Sequence, residues 1–175
     1  MLQPTLSEVT AVLAHTPGTL KALLEGLPAP WVDANEGEGT FSPRDVLGHL
    51  IYCEKTDWVP RIKLILETGE AKPFVPFDRF GFRGGIDSTS TSALLEELGS
   101  LRAANLAFLN GLSLSATQLS LKGTHPEFGP VTLGQLLATW AVHDLNHIGQ
   151  VVRVMSKRYG ETVGPWKAYL GILRR

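Results

Sequence analysis

The chain has 175 residues, 43% of them hydrophobic and 19% charged, so it can bury a core as a single domain over residues 1–175. Its 17 acidic and 16 basic residues nearly cancel to a formal net charge of −1, and no basic cluster suggests a nucleic-acid partner. A single cysteine, Cys53, excludes an intramolecular disulfide and a zinc site built on paired cysteines.

The amino-terminal sequence MLQPTLSEVTAV lacks the basic segment and apolar core of a secretion signal. No stretch of the chain approaches the roughly 18 consecutive apolar residues that can cross a bilayer. We therefore expect a cytoplasmic protein with no membrane partner.

Four segments place apolar residues at helical spacing, and each begins with a recognisable start signal. The first helix is predicted over residues 6–26, with Thr5 opening a capping box and Pro17 causing a kink or a restart. The second is predicted over residues 42–68, because a serine N-cap is followed by a proline and an acidic first turn.

The third helix is predicted over residues 91–110, with Gly111 as its stop. The fourth has the clearest start, a capping box at Thr132, and should continue to about Arg158. A turn at Gly164 then leads into a short C-terminal helix.

Two long connections join these helices. Residues 70–88 are rich in proline, glycine and phenylalanine, while residues 113–130 hold one helical turn at residues 115–119 and a turn at His125. Neither connection shows the alternation of a β-strand. The pattern therefore predicts an all-α protein, an up-and-down four-helix bundle with a short C-terminal helix.

Two histidines occupy core positions on the fourth predicted helix. His143 and His147 stand at i and i+4, so their Cβ atoms should lie about 5–6 Å apart. They continue the apolar stripe that includes Trp140 and Val151, and they should therefore face the interior of the bundle. Two buried imidazoles need partners for their ring nitrogens, and a shared metal ion provides one directly.

A catalytic metal site needs a third protein ligand, and His49 on the second helix is the candidate. A core histidine with no ligand role is the alternative for His49, and the neighbouring Gly48 would permit close approach of another helix. Cys53, four residues after His49, could lean toward the same site, but a small buried hydrophobe is the expected role. Glu54 and Asp57 are candidates for a ligand or a base, but they are expected on a solvated helical face.

The segment from His143 to His147 differs from the HExxH pattern of metallopeptidases by an aspartate, Asp144, in place of the glutamate base. Aspartate is one methylene shorter and would not reach an activated water in the same way, so a peptidase is not expected. Asp144 and Gln150 are candidates for orienting an imidazole or a bound ligand, with a solvated surface position as the alternative for each. His125 is expected to be an ordinary loop residue.

Several parts of the sequence resemble the DinB-like (YfiT-like) metal-binding superfamily. They are residues 129–140, the segment from His143 to His147 with Gln150, the tail at residues 163–170, and Phe41-Ser42 with His49-Leu50, where the family carries its first histidine. The resemblance covers nearly the whole chain. It implies a four-helix bundle, commonly a homodimer, in which His49, His143 and His147 bind zinc, nickel or a similar divalent ion.

The family includes thiol-dependent S-transferases that use low-molecular-weight thiols, and a thiol-dependent maleylpyruvate isomerase. The resemblance thus favours a metal-dependent transferase or hydrolase acting on a small molecule, with water or a thiol as the activated nucleophile. Arg79, Arg83 and the phenylalanines of residues 70–88 could cover the open side of the site and contact an anionic substrate, or the phenylalanines could only seal the bundle end. A non-catalytic metal-binding or stress-response protein and a helical dimerisation module are the alternatives for the function.

Overall fold

The computed structural model describes residues 5–174, which form a helical bundle with one small antiparallel sheet. The helices are α1 (Leu6–Leu24), α2 (Ala29–Val32), α3 (Pro43–Thr56), α4 (Trp58–Thr68), α5 (Thr91–Leu112), α6 (Ala116–Leu119) and α7 (Leu133–Lys157). The strands are β1 (Lys122–His125) and β2 (Gly129–Thr132), and short 3-10 segments lie at Gly69–Ala71, Gly164–Tyr169 and Gly171–Arg174.

Four helical rods surround the core: α1, α3 continued by α4, α5, and α7. Helices α5 and α7 each pack against both α1 and α3, so α1 and α3 stand across the bundle from each other. The buried apolar side chains form two clusters, one around Trp58 and Trp140 and the other around Leu47 and Leu98. The predicted all-α four-helix bundle is confirmed.

Capping boxes start the first rod and α7 as predicted, at Thr5 and Thr132. The predicted N-cap Ser42 starts the second rod and also forms a capping box, with Asp45. Pro17 lies inside α1, which continues through it without a restart. A proline has no N–H to donate to the carbonyl four residues earlier, here that of Leu13. Nη1 of Arg102 donates to that carbonyl oxygen at 2.7 Å, so the position tolerates proline.

The second predicted helix is divided into α3 and α4 at Asp57, whose φ of −112° and ψ of −70° interrupt the helical path. Pro60 in the first turn of α4 explains the break, because its ring clashes with the carbonyl of Thr56 and cannot donate to it. The prediction of one helix over residues 42–68 is therefore wrong at this point.

The connection after α6 contains a β-hairpin that the sequence analysis missed. Strand β1 pairs with β2 in the register Gly123 to Val131, and the predicted turn at His125 joins the two strands. A Cβ at Gly123 would lie 2.7 Å from Cγ1 of Ile65, so glycine lets the hairpin pack closely on α4. Strands of four residues are too short to show a clear alternation of apolar and polar residues.

Smaller differences concern helix ends. Helix α5 runs past Gly111 to Leu112, and the left-handed residue that follows is Ser113, with a φ of +48°. The C-terminal segment forms 3-10 turns rather than one helix, and α2 was not predicted. Within residues 5–174, no helix has both the length and the apolar character needed to cross a membrane.

Candidate metal centre

Three imidazoles meet in the interior of the bundle. Nε2 of His143 on α7 lies 3.1 Å from Nε2 of His49 on α3 and 3.2 Å from Nε2 of His147, one turn further along α7. Nitrogen ligands about 2.05 Å from a tetrahedral ion stand about 3.3 Å apart, which is close to both distances. The structure thus brings His143 close to both other predicted ligands, while the group of ligand atoms that all lie within 4.8 Å of one another consists of those of His49, Cys53 and His143.

A hydrogen bond to Gln150 determines which ring nitrogen of His147 is left unprotonated toward the other histidines. Nδ1 of His147 donates to Oε1 of Gln150 at 2.9 Å, so in the neutral ring Nε2 carries a lone pair. Gln150 is half-buried and contacts a candidate ligand, so the alternative of a solvated surface position does not describe it.

Asp144 stands behind His143. Its Oδ1 lies 4.0 Å from Nδ1 of His143, too far for a hydrogen bond, and both atoms are buried without a partner within residues 5–174. Burial acts to raise the pKa of Asp144, but interactions with His143 and Arg102 lower it overall, so the carboxyl is ionised.

His143 and His147 contact each other through their Nε2 atoms at 3.2 Å. Two imidazole nitrogens at this distance either share a proton in a hydrogen bond or bind a common cation. Burial, followed by the charges of the other two histidines, lowers the pKa of His49 to about 3, and burial with His143 lowers that of His147 to about 4. Both rings are thus neutral near pH 7, which is the form that binds metals.

Buried carboxylates surround the centre where solvated ones were expected. Glu54 is 3% exposed and accepts hydrogen bonds from Nη2 of Arg102 at 2.7 Å, from Trp140 at 3.1 Å and from Asn105 at 2.9 Å. Nη1 of Arg102 also donates to Oδ2 of Asp144 at 2.6 Å. The predictions of a solvated Glu54 and the surface alternative for Asp144 are therefore wrong.

The sequence held a signal for this network that the analysis overlooked. Arg102 and Asn105 fall in the stripe of Leu98 and Leu109 on α5, at steps of four, three and four residues. An arginine in an apolar stripe indicates a buried partner of opposite charge. Spacing within α5 does not identify the partners, because Glu54 lies on α3 and Asp144 lies on α7.

Cys53 and Asp57 border the centre on the α3 side. Sγ of Cys53 lies 3.6 Å from Nε2 of His49, and the side chain is 2% exposed, which confirms it as buried. Burial raises the pKa of the Cys53 thiol. Asp57, predicted to be solvated, is 6% exposed and pairs with Nε of Arg61 at 2.7 Å, and burial raises its pKa.

A cleft of about 690 Å³ opens onto the three histidines. Its lining includes Trp58, Arg61, Pro76, Phe77, Arg79, His125, Phe128, Asn146 and Gln150. The rings of His125 and Phe128 stack at 4.4 Å on the β-hairpin, so His125 is a wall of the cleft rather than an ordinary loop residue. His15 on α1 is exposed, and its Nδ1 lies 2.7 Å from the carbonyl oxygen of Ala11.

Residues 70–88 contribute both to the cleft and to the core. Phe77 and Arg79 line the cleft, and the Phe77 ring meets that of His49 edge to face at 5.7 Å. Phe74 and Phe82 are instead buried in the two core clusters. Gly48 faces Phe82 of this connection rather than another helix, because a Cβ there would lie 2.8 Å from the Phe82 ring.

Comparisons with known proteins agree with this fold. The family profile of the DinB superfamily matches residues 13–151, a span that includes the three histidines. The solved structure of YfiT from Bacillus subtilis, described as a probable metal-dependent hydrolase with an unusual four-helix bundle topology, superposes with a TM-score of 0.76 at 23% identity, covering 91% of this chain and 90% of that chain. A search of curated protein sequences finds no significant match. The chain belongs to the DinB superfamily.

Proposed function

We propose that this protein is a metal-dependent enzyme acting on a small molecule, with one divalent ion, zinc or nickel, held by Nε2 of His49, His143 and His147. The observation that carries the proposal is that Nε2 of His143 lies 3.1 Å from Nε2 of His49 and 3.2 Å from Nε2 of His147. Imidazole is a common ligand of both ions. The description of the similar YfiT structure as a probable metal-dependent hydrolase also supports a metal-dependent enzyme.

The chain supplies orientation around such an ion. Gln150 holds the ring of His147 by its Nδ1, and Asp144 lies behind the corresponding nitrogen of His143. A hydrogen-bonded partner such as Gln150 fixes the tautomer and the direction of the ligand lone pair. Arg102 holds Asp144 in turn, at 2.6 Å, so the support of the centre extends to α5.

The cleft supplies the substrate site. When bound, a divalent ion lowers the pKa of water or of a thiol and polarises an electrophile. Phe77 and the stacked pair of His125 and Phe128 provide aromatic walls for an apolar group. Arg79 adds positive charge at the cleft, whereas Arg61 is paired with Asp57. We infer hydrolysis, or transfer to a low-molecular-weight thiol, of a small electrophile that enters between these walls.

A non-catalytic metal-binding protein, which could serve a stress response, is the second candidate. The observation that favours it is Cys53, whose sulfur lies 3.6 Å from Nε2 of His49 and could close the coordination sphere. Structural zinc sites are closed by four protein ligands, whereas catalytic sites keep one position open.

We further propose that the protein works in the cytoplasm as a homodimer. Val142 and Leu145 on the outer face of α7 are 64% and 54% exposed and could contribute to such an interface. Analytical ultracentrifugation of the wild type and of Leu145→Glu tests this assembly: a dimer weakened by the substitution supports it, and a monomeric wild type rejects it.

The enzymatic proposal is tested on protein purified without a histidine tag. Metal analysis should find about one divalent ion per chain, and a screen of low-molecular-weight thiols and water against electrophilic acceptors should reveal turnover. His143→Ala should lose both the ion and the turnover, while the exposed His15→Ala should keep both. Turnover that survives in His143→Ala would remove the metal from the mechanism, and a bound ion without turnover across the screen would favour the second candidate.

A further inference from the structure

We propose that the substrate of this centre is a small electrophile that carries an anionic group, a carboxylate or a phosphate, and that the guanidinium of Arg79 binds that group. The inference rests on the proposed function, in which the cleft above the three histidines is the substrate site. It names the chemical class of the substrate and the side chain that recognises it.

Arg79 stands between solvent and the histidines. It is exposed and lines the cleft. Its Cζ lies 5.1 Å from the centre of the Phe41 ring, and that ring lies 5.5 Å from the ring of His49. After burial and the other two histidines, the charge of Arg79 also lowers the pKa of His49, as expected for a cation near the centre. A molecule that binds Arg79 by one end can therefore present its other end to the centre.

Aromatic rings hold the guanidinium in place. Besides Phe41, the ring of Phe80 lies under Cζ of Arg79, at 5.7 Å from its centre. Contacts with aromatic faces position an arginine and leave its planar set of N–H donors for a ligand. That set matches the two oxygens of a carboxylate or of a phosphate in a bidentate contact.

The charge of Arg79 is not compensated by a protein carboxylate within residues 5–174. The neighbouring Asp78 accepts a hydrogen bond from the backbone N–H of Phe80 at 2.9 Å instead. The other arginine of the cleft lining, Arg61, is paired with Asp57 at 2.7 Å. An anion entering the cleft thus meets one cation that is already paired and one that is available for a charge-assisted hydrogen bond.

The β-hairpin contributes two further titratable groups to the cleft. Burial is the main cause that lowers the pKa of His125, so its ring is neutral near pH 7. Glu127 is exposed at the turn between β1 and β2, where water and salt screen its negative charge. The proposed divalent ion adds positive charge at the inner end of the cleft. The loaded cleft therefore favours an anion over a cation.

The remaining walls determine the choice of a probe. Phe77 and Phe128 offer aromatic surface to the apolar part of a ligand, in a cleft of about 690 Å³. A molecule with one aromatic ring and one anionic group therefore matches both features of the cleft. Phenylacetate and phenyl phosphate are such molecules, and phenylacetamide is the neutral counterpart of phenylacetate with nearly the same shape.

Titration of the metal-free protein with these three probes tests the proposal. Heteronuclear NMR follows the backbone amides of the cleft residues and yields a dissociation constant for each probe. Absence of the ion ensures that the anions do not bind to the metal itself. At least one anion should bind about fivefold or more tightly than phenylacetamide, because it forms a charge-assisted contact with Arg79. The tighter of the two anions distinguishes a carboxylate from a phosphate.

Three variants assign the preference to one side chain. Arg79→Gln should bind the anions no more tightly than the amide, and Arg79→Lys, which keeps the charge without the planar donors, should retain part of the preference. Arg83→Gln is the matched control on the same connection. The guanidinium of Arg83 lies over the Phe80 ring at 4.2 Å and outside the cleft lining, so this variant should keep the full preference. Circular dichroism checks the helical content of each variant.

The outcomes separate this inference from the proposed function. A preference for an anion that disappears in Arg79→Gln and persists in Arg83→Gln supports the proposal. Equal binding of all three probes to the wild type, no binding of any probe, or a preference that Arg79→Gln retains or that both variants lose overturns it. These results leave the metal site intact, because the metal analysis of the wild type and of His143→Ala tests that site independently.

Discussion

Nη1 of Arg102 on α5 donates a hydrogen bond of 2.7 Å to the carbonyl oxygen of Leu13 on α1. Pro17 leaves that carbonyl without its helical donor, so an arginine from another helix satisfies it. The same guanidinium binds Asp144 of α7 and Glu54 of α3. One buried side chain thus connects the four helical rods and supports the carboxylate behind the histidines.

Arg102→Met should strongly destabilise the fold. The change leaves Glu54 and Asp144 buried without their cation, and removal of one member of a buried ionic network costs about 3–5 kcal/mol. Urea unfolding followed by circular dichroism measures the loss. The matched control is Lys55→Met, which breaks an exposed pair with Glu97 and should cost less than about 1 kcal/mol. Equal losses in the two variants would contradict the network.

Gln150→Leu should weaken metal binding without unfolding the protein. The change removes the acceptor that fixes Nδ1 of His147, and loss of such a partner lowers metal affinity by about 10- to 100-fold. Competition titration with a zinc indicator provides the measurement. Gln118→Leu on α6, remote from the centre, should keep wild-type affinity. An unchanged affinity in Gln150→Leu would show that the bond does not orient the ligand.

Gly48→Ala should destabilise the protein, although alanine favours helices. The new Cβ would lie 2.8 Å from the ring of Phe82 and 2.9 Å from Cγ2 of Ile86, so the connection over the site must shift, at a cost of about 1–3 kcal/mol. Gly99→Ala on α5 meets no atom within 4 Å and should stabilise by up to about 1 kcal/mol. Thermal unfolding of both variants measures the two changes in stability. A change of the same sign in both variants would refute the packing argument.

The stability of the metal-free protein should fall on mild acidification. The pKa values of His49 and His147 are lowered to about 3 and about 4, whereas an unfolded histidine titrates near 6.5. Between pH 6.5 and about 4 the unfolded chain therefore binds protons that the folded chain does not. The contribution of these two histidines to the free energy of unfolding is fully present above pH 6.5. It is lost as the pH falls, by at most about 1.4 kcal/mol per pH unit for each histidine.

Urea unfolding in the presence of a chelator, at steps from pH 7 to pH 5, checks this dependence. The range above pH 5 limits the contribution of carboxyl groups. The double variant His49→Ala, His147→Ala should show a flatter profile, while His15→Ala should keep the wild-type slope. A wild-type profile that is flat between pH 6.5 and pH 5 would contradict the lowered pKa values.

Local signals in the sequence were sufficient for the rods and for the shared face of His143 and His147. Capping boxes at Thr5, Ser42 and Thr132 mark helix starts because the side chain and the backbone groups it satisfies lie three residues apart. The spacing of His143 and His147 determines their shared face for the same reason. The contribution of His49 from α3 depended on the family resemblance rather than on spacing.

Long-range contacts account for what the sequence analysis missed. Glu54 lies beside the candidate site but is buried because Arg102, 48 residues later in the chain, approaches it. The hairpin consists of two four-residue strands whose closeness to α4 depends on Gly123. His125 becomes part of the cleft through that hairpin. Each of these features depends on a partner distant in sequence, which periodicity within one segment does not identify.

The most direct test of the central claim is anomalous diffraction from crystals of the tag-free protein loaded with zinc. The account predicts one strong peak per chain at the zinc edge, within about 2.0–2.1 Å of Nε2 of His49, His143 and His147. The account would be contradicted by a peak bonded to other residues instead of these histidines, by a peak that His49 does not contact, or by no ordered zinc at the three rings.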